Sequence, residues 1–375
     1  MQSCDVLIVG GGPAGSSLAW GLRDSGLNIM LMDKQTFPRN KTCAGWITPT
    51  VAKTLQLDID QYAQEHTIQP VRGFRIGLID SDAVDIHYGD TPASYGIRRC
   101  EFDHYLLKRC GADLRLGEIF RDIQRKDGTW IVNNNIQARL VVGAGGHFCP
   151  VARYLGAKLG QTETAVTAQE TEFKLSANQI AGCNIDPELP ELYFCPDLKG
   201  YGWILRKGDY LNIGLGREAQ HRLSEHVDHF CKFLQERKKI NFDLTEKFNG
   251  HAYLLYQHST RPGHADGILL IGDAAGLAYT QSGEGIRPAI ESGLLASEII
   301  RKANGHYGIS NLAPYTDAIT KRFGERKQEN QFFPKLSNKI KQVIGQRLLK
   351  SPWFARNVVI DRWFLHSDLP PLTGI

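Results

Sequence analysis

Apolar and polar positions fall along this chain in blocks, and each block has the period of one kind of element. Residues 6–9 are apolar at every position, as in a strand buried on both faces. Residues 13–23 place Leu18, Ala19 and Leu22 on one helical face, and residues 28–32 form a second apolar strand that ends at Asp33. Residues 50–70 read as helical, then irregular. Residues 72–98 alternate loosely (Phe74, Ile76, Leu78, then Val84, Ile86, Tyr88), which predicts paired strands. A helix starting near Glu101 buries Phe102, Leu106 and Leu107. Residues 114–120 and 130–132 read as strands about a turn at Lys126-Asp127-Gly128-Thr129. Residues 138–146 are an apolar strand that ends in small residues and returns to the first sheet.

From Val166 onward the pattern is β-rich. Residues 165–173, 191–196, 201–206 and 209–215 read as strands, with Lys207-Gly208-Asp209 as a hairpin turn. Residues 219–238 are helical and charged. Residues 267–276 form an apolar strand that runs into Asp273 between glycines. A helix opens within 281–293 and continues to residue 302. The tail from Ser310 is helical and basic. Lys321, Arg322, Arg326, Lys327, Lys335, Lys339, Lys341, Arg347, Lys350 and Arg356 face few acids there. Phe332, Phe333, Trp353, Phe354, Trp363 and Phe364 are interleaved with them. Such a tail fits helices that pack their aromatics on the body, or a face that contacts a membrane surface.

Composition narrows the function classes. The 375 residues allow a large core and more than one subdomain. A net charge of +4 gives no argument for nucleic acid. No run of about 18 apolar residues occurs, so no spanning helix is expected. The chain enters a core strand at once, which leaves no room for a signal peptide and predicts a cytoplasmic protein. The eight cysteines are scattered without a C-x-x-C pair, so neither a metal site nor a redox pair is expected.

The chemistry starts at the first strand. Gly10, Gly12 and Gly15 follow it in G-x-G-x-x-G spacing, and a helix and a second strand with a terminal acid come next. Gly10 allows the tight turn, Gly12 lets a pyrophosphate approach the backbone, and Gly15 lets helix and strand pack closely. The helix N-terminus attracts the phosphate charge. Asp33 is placed for ribose hydroxyls. These features predict dinucleotide binding. Asp273, followed by glycines at a helix start, is a second such candidate. Arg98 or Arg99, at a helix entrance, is available to an anionic ligand.

Together these motifs resemble the FAD-dependent oxidoreductases of the glutathione-reductase type. Within them the chain is similar to the geranylgeranyl reductase family, itself related to the p-hydroxybenzoate hydroxylase kind of monooxygenase. Gly10, Gly12, Pro13, Ala14 and Gly15, with Asp33 and Lys34, resemble the ADP-binding fold of that family. Lys41-Thr42-Cys43-Ala44-Gly45 resembles its lysine-x-cysteine-glycine-glycine element near the flavin ring. Arg99 matches a cofactor-contacting arginine, and Ala144 and Gly145 lie where the middle strand meets the cofactor. Gly272-Asp273-Ala274-Ala275-Gly276 and Ser282-Gly283-Glu284-Gly285-Ile286 resemble its second FAD motif and the loop and helix start at the flavin edge.

The resemblance implies an α/β fold in which a Rossmann-type FAD domain carries an inserted β-rich substrate domain and a C-terminal helical tail. The implied division is 1–165 with inserted strands at about 70–100, then 166–253 as substrate domain, 254–305 as the second FAD part, and 306–375 as the tail. It implies FAD as cofactor, Cys43 as the catalytic residue, and Trp46, Tyr201, Trp203 and Tyr279 as pocket wall. The implied activity is reduction of carbon–carbon double bonds in a small hydrophobic prenyl, lipid-like or aromatic substrate. The alternatives are a monooxygenase working through a C4a-hydroperoxide, or an FAD-binding sensor without turnover. Gly145-Gly146 replaces the family's aspartate-glycine pair, so NAD(P)H or another reduced carrier stays open as the donor. Tyr201-Gly202-Trp203-Ile204-Leu205-Arg206 keeps only the first half of the prenyl-reductase aromatic motif.

Overall fold

A computed structural model of the chain describes residues 1–218, 222–326 and 338–372. Lys327, Phe332, Phe333 and Lys335 lie outside the described residues, as do the side chains of Lys339 and Lys341.

The apolar run at the start forms the strand Gln2–Val9, whose Val6, Leu7 and Ile8 are fully buried. It lies at the centre of an eight-stranded sheet, parallel to Ile136–Gly143 on one side and to Ile29–Asp33 on the other. Ile268–Leu270 and Asp113–Leu116 extend the parallel set outward. Helices Pro13–Leu22 and Ile286–Ala303 pack against each other beside it. Glycine makes that approach feasible. A Cβ at Gly293 would stand 2.4 Å from the Ala14 carbonyl oxygen, and one at Gly15 would stand 1.9 Å from the Gly10 carbonyl oxygen.

A seven-stranded sheet covers the nucleotide-type sheet. Its order is Asn249–Tyr253, Val166–Lys174, Tyr210–Arg217, Gly200–Lys207, Glu191–Phe194, Gly73–Leu78 and Ala83–His87. The last two strands were expected as an insert of the nucleotide domain. They join this second sheet instead, because Gly73–Leu78 pairs in parallel with Glu191–Phe194 and buries Phe74, Ile76 and Leu78 in its core. Ser94–Ile97 belongs to a separate three-stranded sheet with Trp46–Ile47 and Ile68–Val71. The strand expected over 114–120 stops at Leu116, where Gly117 takes φ +80°. Ile123–Lys126 takes up the pairing with Thr129–Val132.

The tail folds back over the body. Helix Ile309–Phe323 is followed by helix Asn338–Leu349, a turn of helix Pro352–Phe354, and a π-helical stretch Ala355–Phe364. Val359, Ile360 and Phe364 enter the same core as Trp46 and Phe74. The buried Arg287 guanidinium pairs with Glu291 at 2.8 Å and donates to the carbonyls of His366 and Leu369 at 2.9 and 2.7 Å. A charged donor that satisfies several carbonyls is worth more than a neutral one, so this arginine pins the segment after the π-helical stretch.

Candidate functional site

Between the carboxyl ends of the parallel strands and the second sheet lies a cavity of about 480 Å³. The first strand and its turn contribute Gly10, Gly12, Pro13 and Ala14, and the second strand contributes Asp33 and Lys34. The following loop brings Lys41, Cys43, Ala44 and Trp46. Arg99, Ala144, Gly145 and Asp273 line it too, as do Gly283, Gly285, Ile286, Tyr201 and Trp203. Open α/β sheets place ligands at this end of their strands.

Three of the expected residues stand elsewhere. Gly15 fills the helix–strand contact described above. Gly272, at φ +56°, donates its N–H to Ser292 Oγ at 2.9 Å behind the cavity. Tyr279 is not pocket wall. It is buried between Phe323 and His366, stacking on the latter at 3.6 Å, because the pinned C-terminal segment occupies the space beside it. Phe364 from that segment lines the cavity instead.

The polar wall carries strong electrostatics. Lys41 Nζ sits 2.5 Å from His251 Nε2, and the His251 ring lies 4.6 Å from that of His147. His147 Nδ1 is 3.9 Å from Asp273 Oδ2 and has no hydrogen-bond partner. Burial pushes Lys41 down to about 8, against the pull of Asp273. Burial and the neighbouring Lys41 hold His251 neutral. Burial opposes ionisation of Asp273, yet His147 and Lys41 hold its carboxyl below the usual range. Arg99 is tied in two-point fashion to Asp103 at 2.8 and 2.9 Å, and Arg39 reaches the same carboxylate at 3.4 Å. Asp33 accepts from the N–H groups of Gly11 and Gln35, at 2.8 and 2.9 Å.

Cys43 rests on a buried polar frame that the sequence pattern did not reveal. Its N–H donates to Glu170 at 3.1 Å, and its carbonyl accepts from Asn212 at 3.2 Å. Asn212 also donates to Glu170 at 2.7 Å and accepts from the Trp203 indole at 2.8 Å. Lys207, fully buried, donates to the carbonyls of Ala44 and Ile97, each at 2.9 Å, and pairs with Glu172. Burial pushes the Glu170 carboxyl up to about 7, with Lys207 opposing. Glu284 is a second such acid. Its Oε1 accepts from Arg287 N at 2.7 Å, while Oε2 is buried without a partner. Burial raises it to about 7 as well. Glu170 and Glu172 fall two apart on one face of their strand, and Asn212 stands between Leu211 and Ile213; that polar-in-strand signal could have flagged them.

The residues present fit FAD. A strip of glycine backbone needs a ligand that approaches closely, four cations (Lys34, Arg39, Lys41 and Arg99) line the cavity for an anionic group, and Glu284 Oε2 and His147 Nδ1 await a polar partner. Among the described residues no group of side chains could hold a metal ion.

Comparison with known proteins agrees. An FAD binding domain family matches residues 3–69. The chain is 28% identical to the menaquinone reductase of Mycobacterium tuberculosis over 327 residues, covering 80% of this chain and 77% of that one. It is 25% identical to digeranylgeranylglycerophospholipid reductase 1 of Methanosphaera stadtmanae over 328 residues, covering 81% and 76%. A geranylgeranyl bacteriochlorophyll reductase-like structure from Thermoplasma acidophilum superposes with TM-score 0.74 at 20% identity, over 93% of this chain and 88% of that one. PqsL of P. aeruginosa, solved with 2-aminobenzoylacetate, gives 0.67 at 17% identity, over 86% and 92%. Taken with the cavity, these matches make the chain an FAD-dependent oxidoreductase related to the geranylgeranyl reductases.

Proposed function

We propose that the enzyme reduces carbon–carbon double bonds in a prenyl or lipid-like substrate. One observation carries this reading. The cavity that holds the glycine strip and Cys43 is closed by the aromatic wall of Trp46, Tyr201, Trp203 and Phe364. An apolar chain gains there what a polar substrate would lose by desolvation. The relatives named for reducing prenylated lipids and quinones point the same way.

In this reading Gly10, Gly12, Pro13 and Ala14 would hold the pyrophosphate with Arg39, Asp33 and Lys34 would serve the ribose, and Gly283, Gly285 and Ile286 would serve the flavin end. When bound and reduced, the cofactor supplies hydride chemistry. The protein supplies the rest. The aromatic wall orients the double bond and excludes water. Cys43, held from both sides of its peptide by Glu170 and Asn212, presents its thiol to the cavity as the proton donor. Lys207 fixes the next carbonyl, so the loop cannot tilt away. Contact with a lipid surface through the C-terminal helices belongs to the same reading, because substrates of this kind reside in membranes. Among the described residues no helix is long and apolar enough to cross one.

Incubation of the chemically reduced, anaerobic enzyme with a geranylgeranylated lipid tests this. Products heavier by two hydrogens, slower to form with Cys43→Ala, support it. Products gaining oxygen only in air would make the enzyme a monooxygenase.

A further inference from the structure

Helix Asn338–Leu349 is amphipathic in the reverse sense for a surface helix. Two of its glutamines turn inward. Gln342 and Gln346 both donate to the Pro196 carbonyl, at 2.6 and 2.8 Å, and Gly345 faces Leu198. Leu349 completes that inner face, buried in the core of the second sheet. The outward face carries Val343, Ile344 and Leu348, which are 50%, 37% and 40% exposed, and Trp353 follows at 67%. With Ile340, 47% exposed, those helical residues recur at the three-, four- and eight-residue spacing of one stripe. An ordinary solvated helix has the opposite arrangement, and scattered single apolar residues need no account, but a contiguous stripe does.

Charge identifies the partner. Residues 338–360 contain five basic residues and no acid. Arg347 and Lys350 are exposed beside the stripe, and Arg356 lies over the Tyr88 ring on the adjoining segment. An apolar stripe whose own segment carries cations and no acid, ending in a tryptophan, is complementary to an anionic bilayer, where the rings sit at headgroup level and the cations meet lipid phosphates. A second copy of this chain would bring the same cations face to face.

We propose that this helix face, from Val343 to Trp353, docks the enzyme on anionic lipid bilayers. The proposal extends the lipid-substrate reading above. The chain runs from Trp353 directly through the π-helical stretch to Phe364 in the cavity wall, so one continuous element touches both the bilayer and the substrate cavity. A helix of this length, about 18 Å, lies in the interface plane and does not span it.

Vesicle flotation of FAD-loaded enzyme tests the surface, with vesicles of zwitterionic lipid alone and with about one third anionic lipid. Wild type should float with the anionic vesicles and be released by salt. V343E/I344E should cut the bound fraction by roughly tenfold or more, and R347E/K350E should abolish the preference for anionic lipid. Both variants should keep the flavin spectrum and wild-type turnover of a detergent-dispersed substrate. Wild-type enzyme that stays at the bottom with anionic vesicles overturns the proposal, as does equal flotation of V343E/I344E. A wild-type dimer that V343E/I344E converts to monomer, without flotation, overturns it in favour of self-association. Flotation without any double-bond reduction would leave the surface standing while the substrate reading fails.

Discussion

Gly12→Ala separates the needs of the fold from those of the cofactor. Gly12 is extended, with φ −73° and ψ −175°, a conformation any residue adopts. A Cβ there would meet only Arg39 Nη2, at the ordinary distance of 3.5 Å. The apo variant should therefore be as stable as wild type, or gain about 0.4–1 kcal/mol from the stiffer unfolded chain. FAD should suffer. In the proposed placement the methyl stands where the pyrophosphate would approach the helix N-terminus, and losing one charged hydrogen bond of about 1.5–3 kcal/mol weakens binding about 10- to 150-fold. At an FAD concentration 100 times the wild-type Kd, ligand stabilisation is about 2.7 kcal/mol, and a 100-fold weaker variant keeps only about 0.4 kcal/mol. Paired thermal melts with and without FAD, beside a fluorescence titration, read both quantities. Wild-type FAD affinity in Gly12→Ala would refute the placement of the pyrophosphate. Gly15→Ala is the contrast. Its Cβ would lie 1.9 Å from a backbone oxygen, so it should fail to fold or lose several kcal/mol without ligand.

Other perturbations test the remaining parts. Lys207→Met leaves the Ala44 and Ile97 carbonyls without this donor and leaves Glu172 to Arg98 and Asn212 alone, so chemical denaturation should show a loss of about 2–4 kcal/mol, and iodoacetamide should label Cys43 faster as its loop loosens. Cys43→Ala should retain FAD yet slow turnover, and unchanged turnover would return the thiol to a packing role. Glu284, raised to about 7 by burial, binds its proton more tightly folded than unfolded, so its contribution to stability is complete below its unfolded pKa and is lost as pH rises toward 7. Glu284→Gln should therefore gain about 1–2 kcal/mol on the wild-type apo protein at pH 8 and nothing at pH 4, measured by urea melts. Phe364→Ala should enlarge the cavity and cost about 3–5 kcal/mol, with KM rising more than kcat falls.

The nucleotide-type half was legible because its signals are contiguous. The strand, glycines, helix, second strand and acid sit within 30 residues, and each has one physical use. The same holds for Asp273 and the loop before Ile286. Residues that meet only through register were not legible. Glu170, Asn212 and Lys207 lie on three strands, and only the pairing of Tyr210–Arg217 with Val166–Lys174 on one side and Gly200–Lys207 on the other sets them under Cys43. Lys207 was read as a turn residue, although its side chain is wholly buried. His147 and His251 are 104 positions apart in sequence and meet across the cavity. Tyr279 failed as pocket wall because no local pattern shows that Arg287 fastens the C-terminal segment beside it. Strands Gly73–Leu78 and Ala83–His87 were recognised as a pair and as an insert, but not the sheet they join, since alternation tells which face is buried and not against which sheet.

The most direct test of the central claim is a single turnover with and without oxygen. Purified enzyme, loaded with FAD and reduced anaerobically, is mixed with a geranylgeranylated lipid, and the product is weighed by mass spectrometry while flavin reoxidation is followed at its visible absorbance. A double-bond reductase should reoxidise its flavin without oxygen, matched by product two hydrogens heavier. Flavin that stays reduced until air is admitted, with product gaining one oxygen atom, would contradict it.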